Sequence, residues 1–156
     1  MSEWNRRGRR RARRRPLYAV LTALLLLGSL IACGSDEDGP RDVATAFVDD
    51  FAAGRLDAAA ALTTDPSRAE PFLTAAWSGL DAEGLSARVG RVKMNRDIAD
   101  VDVAYSWRLP GKREWKYDAK LTMGRSDTGW SVRWASTVVH PAIGADQRLA
   151  LSIYGA

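Results

Sequence analysis

The chain has 156 residues, with 23 Lys+Arg against 19 Asp+Glu for a formal charge of +4, one cysteine and one histidine. Eight of the basic residues are arginines before Pro16, and only Glu3 offsets them, so from Cys33 onward 15 basic residues face 18 acidic ones, a net of −3. The basic charge thus belongs to a leader, which excludes a nucleic-acid-binding surface on the folded part. The lone cysteine excludes an intrachain disulfide, and the lone histidine excludes a histidine-built metal centre.

The leader has the three parts of an export signal in order: an arginine-rich run, an apolar run from Leu17 to Ile31, and a small residue before Cys33. The apolar run is short for a membrane span, which needs roughly 20 residues. Leu30-Ile31-Ala32-Cys33 resembles the lipobox of bacterial lipoproteins, whose cysteine is diacylated and becomes the new N-terminus. The alternative is an uncleaved anchor in which Cys33 merely ends the apolar run. Either way the expectation is an exported protein on the outer face of the cytoplasmic membrane, held there by the Cys33 lipid or the apolar leader. The organisation that follows is a signal peptide over residues 1–32, an acidic tether over 33–40, one folded domain over 41–141 and a connecting segment over 142–156.

Three helices come first. Val43, Phe47 and Phe51 recur at helical spacing, and Gly54 is placed to end that helix in a left-handed cap. A short second helix starts from an Asp57 cap and runs through the alanines to Leu62. Asp65-Pro66 reads as a cap followed by proline in the first turn of a third helix that ends about Gly79. Pro71 is awkward inside it and predicts a later start near Glu70 or a kink. The expected buried stripe is Phe72, Ala76 and Leu80, with Leu73 and Trp77 beside it.

Downstream the apolar period changes to two. Leu85 to Met94 reads as a strand bent or bulged at Gly90. Ile98 to Leu109 reads as a second, with Val101, Val103, Tyr105, Trp107 and Leu109 on one face. Arg113 to Met123 reads as a third, with Trp115, Tyr117, Ala119, Leu121 and Met123 inward. Pro110-Gly111 and Asp127-Thr128-Gly129 are the turns. In the last strand Trp130, Val132 and Trp134 alternate with Ser131, Arg133 and Ala135, before an exit at Val138-Val139-His140-Pro141. Helices followed by an antiparallel meander predict an α+β fold with the helices on one face of a curved sheet.

Chain order and particular strings carry a resemblance. Gly-Arg-Leu-Asp-Ala-Ala-Ala-Ala-Leu-Thr at 54–63, Tyr-Ser-Trp-Arg-Leu at 105–109, Trp115-Lys116-Tyr117, and Gly-Trp-Ser-Val-Arg-Trp followed by His140-Pro141 resemble the NTF2-like N-terminal domain of actinobacterial class B penicillin-binding proteins, the domain first described in the MecA type. The likeness runs from about Arg41 to Leu149 and implies an NTF2-like cone serving as a non-catalytic pedestal. The transpeptidase that follows in such proteins carries S-x-x-K, S-x-N and K-T-G, and none of the three occurs in these 156 residues. No catalytic residue, metal or cofactor is expected. The implied partners are a transpeptidase domain or other proteins of cell-wall synthesis, besides the membrane.

Trp107, Trp115, Trp130 and Trp134 are expected to be structural anchors, and His140 with Pro141 an interdomain contact. Two other functions are open: a free-standing lipoprotein whose cone binds a small apolar ligand, or an isomerase-like enzyme using Tyr105 or Tyr117. A buried tyrosine with its hydroxyl satisfied is the simpler expectation for both. The segment from Ala142, with Leu149, Leu151, Ile153 and Tyr154, is expected to pack poorly or fray, with folding back onto the cone as one more strand or a short helix as the alternative.

Overall fold

The computed structural model describes residues 38–152, so the expected export signal, Cys33 and the end of the chain from residue 153 lie outside the described residues. Helix α1 (Pro40–Ala52) starts at the Gly-Pro pair: Gly39 is its N-cap, Pro40 sits in the first turn, and the Asp42 carboxylate accepts from the Gly39 amide at 3.1 Å. Its buried stripe is Val43, Ala44, Phe47, Val48 and Phe51. Gly54, at φ 74°, turns the chain out of the helix as expected.

Helix α2 (Leu56–Ala61) is capped by Arg55, so Asp57 falls in the first turn instead of at the cap. There its carboxylate still faces the positive end of the helix dipole. Helix α3 (Pro66–Leu80) begins at Pro66, with the Asp65 carboxylate accepting from the Arg68 amide at 3.2 Å. Pro71 neither delays nor ends it. Pro71 is exposed, and so is Ser67, whose carbonyl loses its donor, so the loss falls at the solvent-facing side of the helix, where it costs least. The buried stripe is Ala69, Leu73, Ala76 and Leu80, turned slightly from the one expected, which leaves Phe72 and Trp77 half-buried at its margin.

Four strands follow in a meander of order β1-β2-β3-β4: β1 (Gly84–Asn95), β2 (Ile98–Leu109), β3 (Arg113–Ser126) and β4 (Gly129–Val132). The register of β1 on β2 slips between Val89 and Val92, the bulge read at Gly90. Val101, Val103, Tyr105, Trp107 and Leu109 of β2 are all buried, and so are Ala119, Leu121 and Met123 of β3, under the α1 and α3 stripes. The outer face carries the charges, with Arg91 3.6 Å from Asp102 and Lys116 2.9 Å from Glu114.

Two expectations are corrected. The final strand ends at Val132 rather than carrying through Trp134, because its free edge is taken by the connector between α2 and α3. The Val132 amide donates to the Leu62 carbonyl at 2.9 Å, the Thr64 amide donates to the Val132 carbonyl at 2.8 Å, and the Trp134 amide donates to the Thr64 hydroxyl at 3.0 Å. Pairing in this way hides an edge that would otherwise be open to other chains.

The segment after Pro141 does not fray through residue 152. Ile143 is buried, Leu149 and Leu151 pack against the core, and the Leu151 amide donates to the Gly79 carbonyl at 2.7 Å. It packs without regular structure, so it is neither an extra strand nor a helix. The physical reason lies in α3: Gly79 has no side chain, and the backbone of Leu149 occupies the space a Cβ would need.

Candidate functional site

The place to look for chemistry in a cone of this kind is its inner face, between sheet and helices. Here that space is filled by side chains. Phe51 meets Tyr105 and Trp107 edge-on, with ring centroids 6.1 and 5.7 Å apart, and Trp77 meets Trp107 at 5.4 Å. Trp107 is fully buried and is the centre of the aromatic cluster.

Tyr105 and Tyr117, the two inward tyrosines, are committed to the exit segment that follows β4. The Tyr105 hydroxyl donates to the Val138 carbonyl at 3.3 Å and the Tyr117 hydroxyl to the Val139 carbonyl at 2.7 Å, while the Trp107 indole N–H donates to the Tyr117 oxygen at 2.9 Å. Burial raises the Tyr105 pKa far above its ordinary value, with the neighbouring Tyr117 adding to the effect. Tyr117 is pushed up to about 12, again by burial and against the opposing Trp107 hydrogen bond. Both stay protonated at neutral pH, with their one proton each already donated to backbone. They are structural ties, and neither is available as a general base.

His140 lies against β3, beside Tyr117. Its ring is 5.1 Å from that of Trp115 and 4.5 Å from that of Tyr117, and its Nδ1 accepts from the Ala142 amide at 3.2 Å. That bond requires an unprotonated Nδ1, and burial lowers the histidine's pKa. So His140 holds the turn into the closing segment, and Pro141 beside it is exposed. Among the described residues no group of three or more His, Cys, Asp or Glu lies close enough to hold a metal ion.

The four tryptophans expected as anchors separate by depth. Trp107 is wholly inside, Trp115 is half-buried against Tyr117 and His140, and Trp134 is half-buried with its ring 5.7 Å from that of Phe72. Trp130 is half-buried at the far end of the sheet, where its register partner is Arg125. Val132 between the last two is the fully buried residue of its strand. Missed from the sequence were Thr63 and Thr64, which seal the β4 edge, and Gly79, which seats the closing segment. The only advance signals were two β-branched residues just after an alanine helix and a glycine one residue inside the C-terminus of α3.

A groove of about 520 Å³ lies on the outer face above Ala104, lined by Ser86, Arg88, Ser106, Lys116 and Asp118. It exists because alanine stands where its neighbours are long, and it mixes both signs of charge. It is open to solvent and does not enclose a small molecule.

The path of the chain through this architecture has a direction. It enters at Arg41, whose guanidinium donates to the Gly90 carbonyl at 2.8 Å, midway along β1. From there α1 runs to Phe51 over Trp107, toward the start of β1. The last described turn ends on Gly79, near that same end. Entry and departure are therefore displaced along the sheet by roughly 20 Å, taking the six residues from Gly90 back to Gly84 at about 3.3 Å each.

The family model described as an NTF2-like N-terminal transpeptidase domain matches residues 39–147. No curated protein matches. Among solved structures, a protein with a ketosteroid isomerase-like fold from Catenulispora acidiphila, solved with trimethylamine, is 9% identical, with a TM-score of 0.50, over 70% of this chain and 98% of that one. A Campylobacter jejuni structure described as a "Putative NTF2-like transpeptidase" is 13% identical, with a TM-score of 0.42, over 63% of this chain and all of the other. The first of these likenesses shows the NTF2-like α+β cone.

Proposed function

The chain belongs to the family of NTF2-like N-terminal transpeptidase domains, and on that premise we propose that it is a membrane-tethered scaffold or spacer in peptidoglycan synthesis, of the kind found in actinobacterial class B penicillin-binding proteins. The observation that carries this reading is the match over residues 39–147, together with an interior whose polar groups are all committed to holding the fold. A spacer needs rigidity and two separated attachment points. The displacement between Arg41 and Gly79 supports that use, and so does the clamp of the closing segment on α3.

The attachment to the membrane rests on Leu30-Ile31-Ala32-Cys33 and the basic-then-apolar leader. Two acyl chains on Cys33 would hold the domain firmly where one gives only marginal binding. The exposed Pro141 next to His140 is the proposed point of contact with a transpeptidase domain or another wall-synthesis protein. The alternative of a ligand-binding cone is set aside because Phe51, Tyr105 and Trp107 fill the space a ligand would take.

Intact-mass measurement of the membrane form from the native host tests the tether. A diacylated N-terminal Cys33 is expected, and Cys33→Ala should abolish both the added mass and the processing. A mature membrane protein with a free Cys33 thiol would remove the lipoprotein part of the proposal.

A further inference from the structure

The tip of the β1–β2 hairpin departs from the rule that covers the rest of the surface. Met94 is 53% exposed and Ile98 39%, and they are the exposed large hydrophobics among the described residues. They flank the two-residue turn Arg96-Asp97, Met94 on the inner face beside Ala99 and Ile98 on the outer face beside Gly124. The adjoining ends of β3 and β4 bring Arg125 and the half-buried Trp130 to the same pole. The side chain of Arg133 lies over Gly124, next to Ile98. Lys93, Arg96, Arg125 and Arg133 thus surround the apolar pair, against the carboxylates of Asp97, Asp100 and Asp127.

Chain entry points the same way. Arg41 is fixed to Gly90, five residues short of the tip strand's end at Asn95, or about 17 Å along it. Only seven residues separate Cys33 from Arg41, and even a fully extended segment of that length reaches at most about 29 Å. We propose that the hairpin tip around Met94, Arg96 and Ile98 is a docking surface for an anionic lipid bilayer. The inference rests on the tether reading given above. Apolar groups on both sides of a narrow turn, with cations around them and an indole at the margin, suit a headgroup layer: the methionine and isoleucine enter the acyl boundary while the arginines stay with lipid phosphates. Contact at the tip would give the tethered domain a fixed orientation, with the Gly79 end held away from the membrane.

The test uses the full chain reconstituted in vesicles of phosphatidylcholine with phosphatidylglycerol and in vesicles of phosphatidylcholine alone, reading flotation and amide hydrogen exchange. The chain is expected to float with both. Amides of residues 94–98 should exchange several-fold more slowly on the anionic vesicles than on the neutral ones. Met94→Ser with Ile98→Ser, and separately Arg96→Glu, should remove that protection while the amides of Val101 and Val103 keep theirs, which reports an intact fold. A chain that floats but exchanges at 94–98 at the same rate as the double variant overturns the docking surface and leaves the tether standing. Equal protection on both vesicle types overturns the role of the cations. A chain that floats with neither overturns the tether and the docking surface with it.

Discussion

The hydroxyl of Tyr117 donates a hydrogen bond of 2.7 Å to the backbone carbonyl of Val139. One oxygen thereby joins the centre of the sheet to the segment that leaves it, since the same hydroxyl accepts from the Trp107 indole. Tyr117→Phe would leave that carbonyl and that N–H without partners in a largely dry place, a loss of about 1–3 kcal/mol. Urea unfolding should show the midpoint lowered with the slope unchanged, whereas a midpoint equal to the parent's would mean water replaces the hydroxyl freely.

Depth orders the tryptophans. Trp107→Ala empties the middle of the aromatic cluster and should cost about 3–5 kcal/mol. Trp130→Ala and Trp134→Ala remove half-buried rings and should each cost less than Trp107→Ala. Thermal unfolding of the three variants side by side checks the order, and a Trp130 variant as damaged as the Trp107 one would show that the sheet end is anchored more tightly than its exposure indicates.

Gly79→Ala is a substitution whose helix propensity favours stability by up to about 1 kcal/mol. Its methyl would occupy the space held by the Leu149 backbone, so the opposite result is expected here. The closing segment should be displaced and the Leu151 amide, which donates to the Gly79 carbonyl, should exchange faster. A variant more stable than the parent with Leu151 still protected would show that the segment is not seated on this glycine. Ending the chain at Pro141 should likewise destabilise it, because Ile143, Leu149 and Leu151 lose their places in the core.

His140 makes stability depend on pH with a definite sign. Burial lowers its pKa in the folded state, so the unfolded chain binds the proton more readily. The contribution is complete above the ordinary histidine value of about 6.5 and is lost as pH falls through the lowered one. Protonation would also turn Nδ1 from an acceptor into a donor facing the Ala142 amide. The parent should therefore lose more stability between about pH 7.5 and pH 5 than His140→Gln does. Equal losses would assign the whole pH dependence to carboxylates.

Legibility followed the strength of local pattern. β2 was legible over its full Ile98–Leu109 extent because Val101, Val103, Tyr105, Trp107 and Leu109 alternate with mostly polar residues, and the Gly90 bulge because a glycine breaks an otherwise regular strand. Pro66 and Asp65 marked the start of α3 through chemistry that needs no tertiary partner. What was not legible depended on competition between distant segments. Trp134 continues the alternation of Trp130 and Val132, yet the strand stops because Leu62 and Thr64 claim its edge. Leu149 and Leu151 looked like apolar groups without a surface because the seat at Gly79 is a missing side chain, and a sequence does not show what an absent Cβ admits. The tyrosine ties to Val138 and Val139 likewise join residues 33 and 22 positions apart.

The proposed role is that of a spacer serving wall synthesis from outside the membrane. In the native host, incorporation of a fluorescent D-amino acid into the wall is the direct readout, compared among a deletion strain, the strain restored with the full chain, and the strain restored with residues 33–156 alone. The deletion should lower incorporation, the full chain should restore it, and the leaderless chain, retained inside, should not. Full restoration by the leaderless chain, or a deletion strain that incorporates like the parent, would contradict this role.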